Sequence, residues 1–157
     1  LITDQLNDER VALTPAAPVF RAYRDVLQWA VQTRRPDGRR IADSEWVQVS
    51  LARVHAKISF LETKNWELAS SAARVRPGDA SASKVFGTES AIEAYRLLME
   101  ILGPTATVRQ DSAGAHLRGS IERRHRAALI LTFGGGTNEV QRDIIARTEL
   151  HLPAAPR

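Results

Sequence analysis

The chain has 157 residues, 43% hydrophobic and 25% charged, and carries a net charge of +4 from 22 basic and 18 acidic side chains, with no cysteine. That length suits one domain with a buried core, and the missing cysteines exclude disulfides, thiolate catalysis and cysteine-ligated metals. No apolar run approaches the roughly 20 residues of a membrane span and no signal-peptide pattern opens the chain, so a cytoplasmic setting is expected.

The predicted elements are helical throughout, because no stretch sustains two-residue alternation. Residues 2 to 12 carry a short helical pattern that meets Thr14-Pro15, read as a cap followed by proline at the first position of the next helix. That second helix extends to about Arg34, with Phe20, Tyr23, Leu27 and Ala30 on one face, and breaks at Pro36-Asp37-Gly38. The third has the clearest stripe: Val47, Leu51, Val54, Ile58, Leu61, Leu68 and Ala72 recur at steps of three and four, with Asn65 filling one slot. After the loop ending at Pro77-Gly78-Asp79, Asp79 or Ser81 can cap a further helix through Val85, Ile92, Tyr95, Leu98 and Leu102, stopped by Gly103-Pro104. Residues 105 to 117 read as an irregular connection, 118 to 132 as another helix and 137 to 148 as a short last one, before a tail at Pro153 to Pro156. Four substantial helices with short connections predict an all-α fold, an up-down four-helix bundle with an extra short C-terminal helix.

Nearly all the basic residues are arginines, whose planar forks suit carboxylates and phosphates. The cluster Arg118, Arg123, Arg124 and Arg126 is the best support for nucleic-acid binding, but Glu122 lies inside it and no groove-reading or stacking motif accompanies it. It reads as a solvated or subunit-facing surface, and no nucleic-acid partner is expected. No metal site is expected either.

The most informative stretch is Leu131-Thr-Phe-Gly-Gly-Gly-Thr-Asn-Glu-Val-Gln-Arg142, followed by Ile-Ile-Ala-Arg. An apolar run ends at three glycines, which permit positive φ and close approach of another molecule. Thr137 stands where a helix N-cap belongs, next to free amides that favour anions. By itself such a turn is more often the plain end of a helix than a ligand site. The string Gly-Thr-Asn-Glu-Val-Gln-Arg, however, closely resembles the C-terminal signature of the acyl-CoA dehydrogenases, and the likeness extends over essentially the whole chain.

That resemblance implies the C-terminal helical domain over 1–157, with the N-terminal helical and middle β domains outside it. A start at Leu1, without an initiator methionine and inside a helical pattern, fits a piece of a longer polypeptide. The implied reaction is α,β-dehydrogenation of an acyl-CoA thioester to the 2-enoyl-CoA, with a carboxylate base for the α-proton and hydride transfer to FAD. The family's commoner base position immediately precedes the Gly-Thr of the signature, and Gly135 is aligned there. The other, used by isovaleryl- and long-chain-type members, lies in a Leu-x-x-Glu-Arg segment, which Leu6-Asn7-Asp8-Glu9-Arg10 resembles. Glu9 is therefore the expected base, with Asn7, Asp8, Arg10 and Gly136 as substrate contacts. A carboxylate in that role needs desolvation to raise its proton affinity, which a bound acyl chain would supply.

The same resemblance places flavin contacts at Arg34, Gly103, Gly136, Thr137, Asn138 and Glu139. Two family segments are altered. An Arg-x-x-Phe-Gly pattern with a later glutamine becomes Arg34-Arg-Pro-Asp37-Gly38 with Glu45, and a Gln-x-x-Gly-Gly-x-Gly turn becomes Glu100-Ile-Leu-Gly103-Pro104-Thr-Ala106. Acidic groups near a pyrophosphate are unfavourable, and proline offers no amide hydrogen. The implied partners are an acyl-CoA substrate, electron-transfer flavoprotein as acceptor, and either a second copy or, in a heteromer, a related subunit that completes the flavin site. A non-catalytic structural subunit and a plain helical interaction domain remain open alternatives.

Overall fold

The computed structural model describes residues 2–70 and 75–153, so Ala72 and the end of the C-terminal tail lie outside the described residues. All regular structure among them is helical: α1 (Ile2–Ala12), α2 (Ala17–Gln32), α3 (Glu45–Ser70), α4 (Pro77–Leu102), α5 (Ser120–Ala128) and α6 (Asn138–Thr148), with short 3-10 turns between several of them. This is the all-α fold expected, with each predicted helix present. No described helix is long and apolar enough to cross a membrane.

Several boundaries differ from expectation, and the helix expected over 118 to 132 is α-helical only over Ser120–Ala128, with a 3-10 turn at Leu129–Thr132. Thr14 does not cap α2: its hydroxyl donates to the Val11 carbonyl and so finishes α1. The proline that opens α2 is Pro18, two positions into the helix after Ala16. Asp79 and Ser81 both fall inside α4, which begins at Pro77; Asp79 instead accepts from Arg76 at 2.8 Å. On α2 the fully buried stripe is Val19, Ala22, Val26 and Ala30, one position off the aromatic face, so Phe20, Tyr23 and Leu27 are only half-buried.

The chain divides into two compact units, and α3 and α4 each contribute one part to both. One unit comprises residues 16–59 and 90–129. Its core is apolar: Val26, Val47, Val54, Ile58, Leu98 and Ile121 are all almost completely buried. Removal of such surface from water is the main stabilising term in folding, about 25 cal/mol per Å². A tight loop joins α2 to α3, where Gly38 takes a φ of 85° and an isolated bridge pairs Arg34 with Arg40.

The other unit comprises residues 1–15, 60–89 and 130–157. Its interior is of another kind. Among its described residues the buried apolar side chains are Leu61 and Ala80, whereas Asn7, Arg10, Thr14, Ser81, Ser83, Lys84, Thr88, Asn138 and Gln141 are buried polar or charged groups. Buried polar groups need partners, and a satisfied network specifies a unique arrangement. Close backbone approach makes room for it. A Cβ at Gly87 on α4 would lie 2.5 Å from that of Thr14, so only glycine lets α4 touch the end of α1.

Candidate functional site

The polar unit is organised around the glycine turn before α6. The 3-10 turn Leu129–Thr132 gives way to Gly134, Gly135 and Gly136, with φ of 67° and 96° at the last two. Thr137 then caps α6, its hydroxyl accepting from the Val140 amide at 3.3 Å. Left-handed φ at two successive positions is the conformation glycine makes accessible. At Gly136 the space matters as well, since a Cβ there would stand 2.6 Å from Nε2 of Gln141.

Lys84, with no exposed surface, is the group that fixes the turn. Its Nζ donates to the Thr132 carbonyl at 2.9 Å, the Gly136 carbonyl at 2.8 Å and Oδ1 of Asn138 at 2.6 Å. Burial holds the Lys84 ammonium below its ordinary proton affinity. Asn138 is fully engaged, because its Nδ2 donates to Thr88 at 3.1 Å and to Glu89 at 3.0 Å. Glu89 also receives Arg142 at 2.7 Å. Gln141 closes the circuit by donating to the Gly135 carbonyl at 3.0 Å and accepting from Ser81 at 2.9 Å.

The first helix docks on the same turn from 125 residues away: Arg10 Nε donates to the Gly135 carbonyl at 3.2 Å. Arg10 also donates to Oδ1 of Asn7 at 2.8 Å, while Asn7 donates to the Val75 carbonyl at 3.4 Å. Residues three apart share a helix face, so Asn7 and Arg10 turn inward together while Asp8 and Glu9 between them are exposed. A Cβ at Gly135 would stand 3.4 Å from Cγ of Arg10. The residue next to Glu9 therefore touches position 135.

Glu139 is exposed at the start of α6, and its own amide, with the Thr137 hydroxyl, holds its carboxyl below the usual range. Lys84, Thr88, Glu89 and Gln141 were not among the residues picked out from sequence. One signal was available for Lys84: it falls on the stripe of small residues Ala80, Ser81, Gly87 and Thr88, the buried side of α4.

Arg34 and Gly103 belong to the apolar unit. Arg34 is exposed and donates to the Gly38 carbonyl at 2.7 Å. Asp37 turns onto Arg39, whose amide and then guanidinium lower its proton affinity. Glu45 is exposed in the first turn of α3. Gly103 ends α4 with a φ of 76° and open space where a Cβ would be. Beyond it Pro104 has no amide hydrogen, and the amide of Ala106 donates to the Gly103 carbonyl at 2.9 Å. As a cradle for a flavin's diphosphate these residues fit poorly, since Asp37 and Glu45 bring negative charge and Pro104 offers no amide hydrogen. Asn138 and Glu139 are engaged within the chain.

The family model for the acyl-CoA dehydrogenase C-terminal domain matches residues 1–150. The chain is 62% identical over 162 residues to "Acyl-CoA dehydrogenase FadE26" of Mycobacterium tuberculosis and 38% identical over 159 residues to FadE29 of the same organism; it is covered in full in both and spans 40% of each. Among solved structures, one chain of the ChsE4–ChsE5 complex from Mycobacterium tuberculosis superposes with a TM-score of 0.92 at 63% identity, over 99% of this chain and 40% of that one. One from the "Tcur3481-Tcur3483 steroid ACAD" gives 0.85 at 38% identity, over 96% of this chain and 38% of that one. The helical order, the glycine turn with its capping Thr137 and these matches lead to one conclusion: the chain belongs to the acyl-CoA dehydrogenase family, as its C-terminal helical domain.

Proposed function

We propose that this chain is the base-bearing part of one subunit of a heteromeric acyl-CoA dehydrogenase, with Glu9 taking the α-proton of an acyl-CoA thioester. The contact between Arg10 and the Gly135 carbonyl carries the reading. It joins the two places where the family puts its glutamate, so a carboxylate at position 9 serves the same neighbourhood as one at position 135. With glycine at 135, the exposed Glu9 is the acid available there. Asn7 and Arg10 hold α1 against the turn, while Asp8 and Gly136 present exposed surface to the thioester. A general base must reach its proton geometrically before its proton affinity matters.

Heteromeric assembly is supported by two observations. In the 103–106 turn Pro104 offers no amide and those of Gly103 and Ala106 are bonded within the chain, and the relatives of known structure include the ChsE4–ChsE5 and Tcur3481–Tcur3483 pairs. A related subunit with intact contacts would hold FAD, and electron-transfer flavoprotein would accept the electrons. The substrate class we assign is a thioester with a bulky, steroid-like acyl group. The whole polypeptide, purified alone, is expected to carry little flavin and to gain stoichiometric flavin absorbance and dehydrogenase activity with its partner. Full flavin content and activity in a homo-oligomer would contradict the heteromer. The same loss of amides favours a second reading, a non-catalytic structural subunit, which activity surviving Glu9→Gln would select.

A further inference from the structure

The apolar unit contains a feature with no part in that reading. A cavity of about 440 Å³ opens at the start of α5, lined by Arg118, Arg123 and Arg124 together with Gln110, Leu117 and Ala127. That volume lies within the range of small-molecule sites, about 300–1,000 Å³. Among the described residues no ion pair is formed by any of the three arginines. The neighbouring Glu122 is taken by Arg126 at 2.9 Å, outside the lining. Arg123 donates to Gln110 at 3.3 Å, and Arg124 lies near the buried Tyr95, whose proton affinity it lowers against the effect of burial.

Three guanidinium groups converging without a counter-ion repel one another. The adjoining helix end adds to the positive field, since Gly119 caps α5 with no side-chain acceptor and the N-terminal end of the helix dipole lies beside the lining residue Ser120. Leu117 and Arg118 are both held in left-handed backbone, with φ of 48° and 55°, which brings Arg118 round to the cavity rim. Planar forks of this kind match phosphoryl oxygens. The apolar lining from Leu117 and Ala127 leaves space beyond an anion's own size.

We propose that this cavity binds an organic phosphate, with the phosphoryl oxygens on Arg118, Arg123 and Arg124 and the body of the ester against Leu117 and Ala127. The site is independent of the base assignment. The test uses the whole polypeptide assembled with its partner and loaded with flavin, titrated calorimetrically with ADP, adenosine and inorganic pyrophosphate. Wild-type complex is expected to bind ADP but not adenosine. The double variant R118Q/R123Q, at two exposed positions, is expected to weaken ADP binding about tenfold or more, as loss of two charge-assisted contacts requires. R126Q, outside the lining, should leave ADP binding unchanged and shows that lost charge alone is not the cause. Equal binding of adenosine, binding of pyrophosphate but not ADP, or ADP binding indifferent to R118Q/R123Q would each overturn the proposal. So would loss of assembly in R118Q/R123Q without ADP binding in the wild type, which would assign the arginines to a subunit contact.

Discussion

At the scale of single residues, Lys84 decides the shape of the turn. A lysine without exposed surface survives in a fold only when its charge meets acceptors, and here three acceptors surround it. Lys84→Met keeps the length of the stem but leaves those acceptors unmet, and is expected to lower unfolding free energy by about 2–4 kcal/mol in urea titrations. The sign of the pH effect follows from burial. The folded state binds the Lys84 proton less tightly than the unfolded one, whose ordinary value is 10.5. Just below that pH the unfolded chain therefore holds more protons, and stability rises with pH. Glu139 and Glu89 oppose the shift and Arg10 adds to it. The stability gap between wild type and Lys84→Met should widen as pH approaches 10.5, and thermal unfolding across the alkaline range checks this. Gly136 is the second decisive residue. Gly136→Ala combines a φ of 96° with a Cβ 2.6 Å from Gln141, and an expected loss of about 1–3 kcal/mol follows in the same titration.

At the scale of elements, the clearest periodicity gave the firmest reading. On α3, Val47, Leu51, Val54, Ile58 and Leu61 are all buried as their spacing predicts. Ile58→Ala is expected to cost about 2–5 kcal/mol, whereas Trp66→Ala, at a side chain 73% exposed, should stay within about 0.5 kcal/mol. Chemical denaturation of the two variants separates a core stripe from a surface face. Other features were legible only in part. Thr14-Pro15 looks like a helix start, but Pro18 sits closer to the real one and the Thr14 hydroxyl turns back onto α1. The aromatic face of α2 looked like its core side because large side chains dominate a pattern. Small Ala22 is buried instead, and of the expected face only Ala30 is fully buried. The site divides in the same way. Thr137 as a cap was readable from local chemistry, since a cap is a contact over three residues. The contact of Arg10 with Gly135 and the network around Lys84 join residues at least 48 apart, and no local pattern encodes them.

At the scale of the whole molecule, the two units differ in what holds them. One rests on an apolar core, and the other on hydrogen bonds that converge on a turn next to the expected base. This division suits the proposal that the domain places one carboxylate, because rigid polar networks fix geometry more sharply than apolar packing alone. The chain spans 40% of the curated relatives it matches, and the chemistry proposed for it calls on parts outside these residues. The most direct measurement is anaerobic stopped-flow reduction of the flavin by acyl-CoA in the assembled enzyme carrying Glu9→Gln. Proton removal is the step assigned to this side chain, so flavin bleaching should fall by about a hundredfold or more, within the range for a general base. Acyl-CoA binding, read from the spectral perturbation of the oxidised flavin, should stay close to that of wild type. Undiminished bleaching in Glu9→Gln would contradict the assignment and return the base to another residue of the complex.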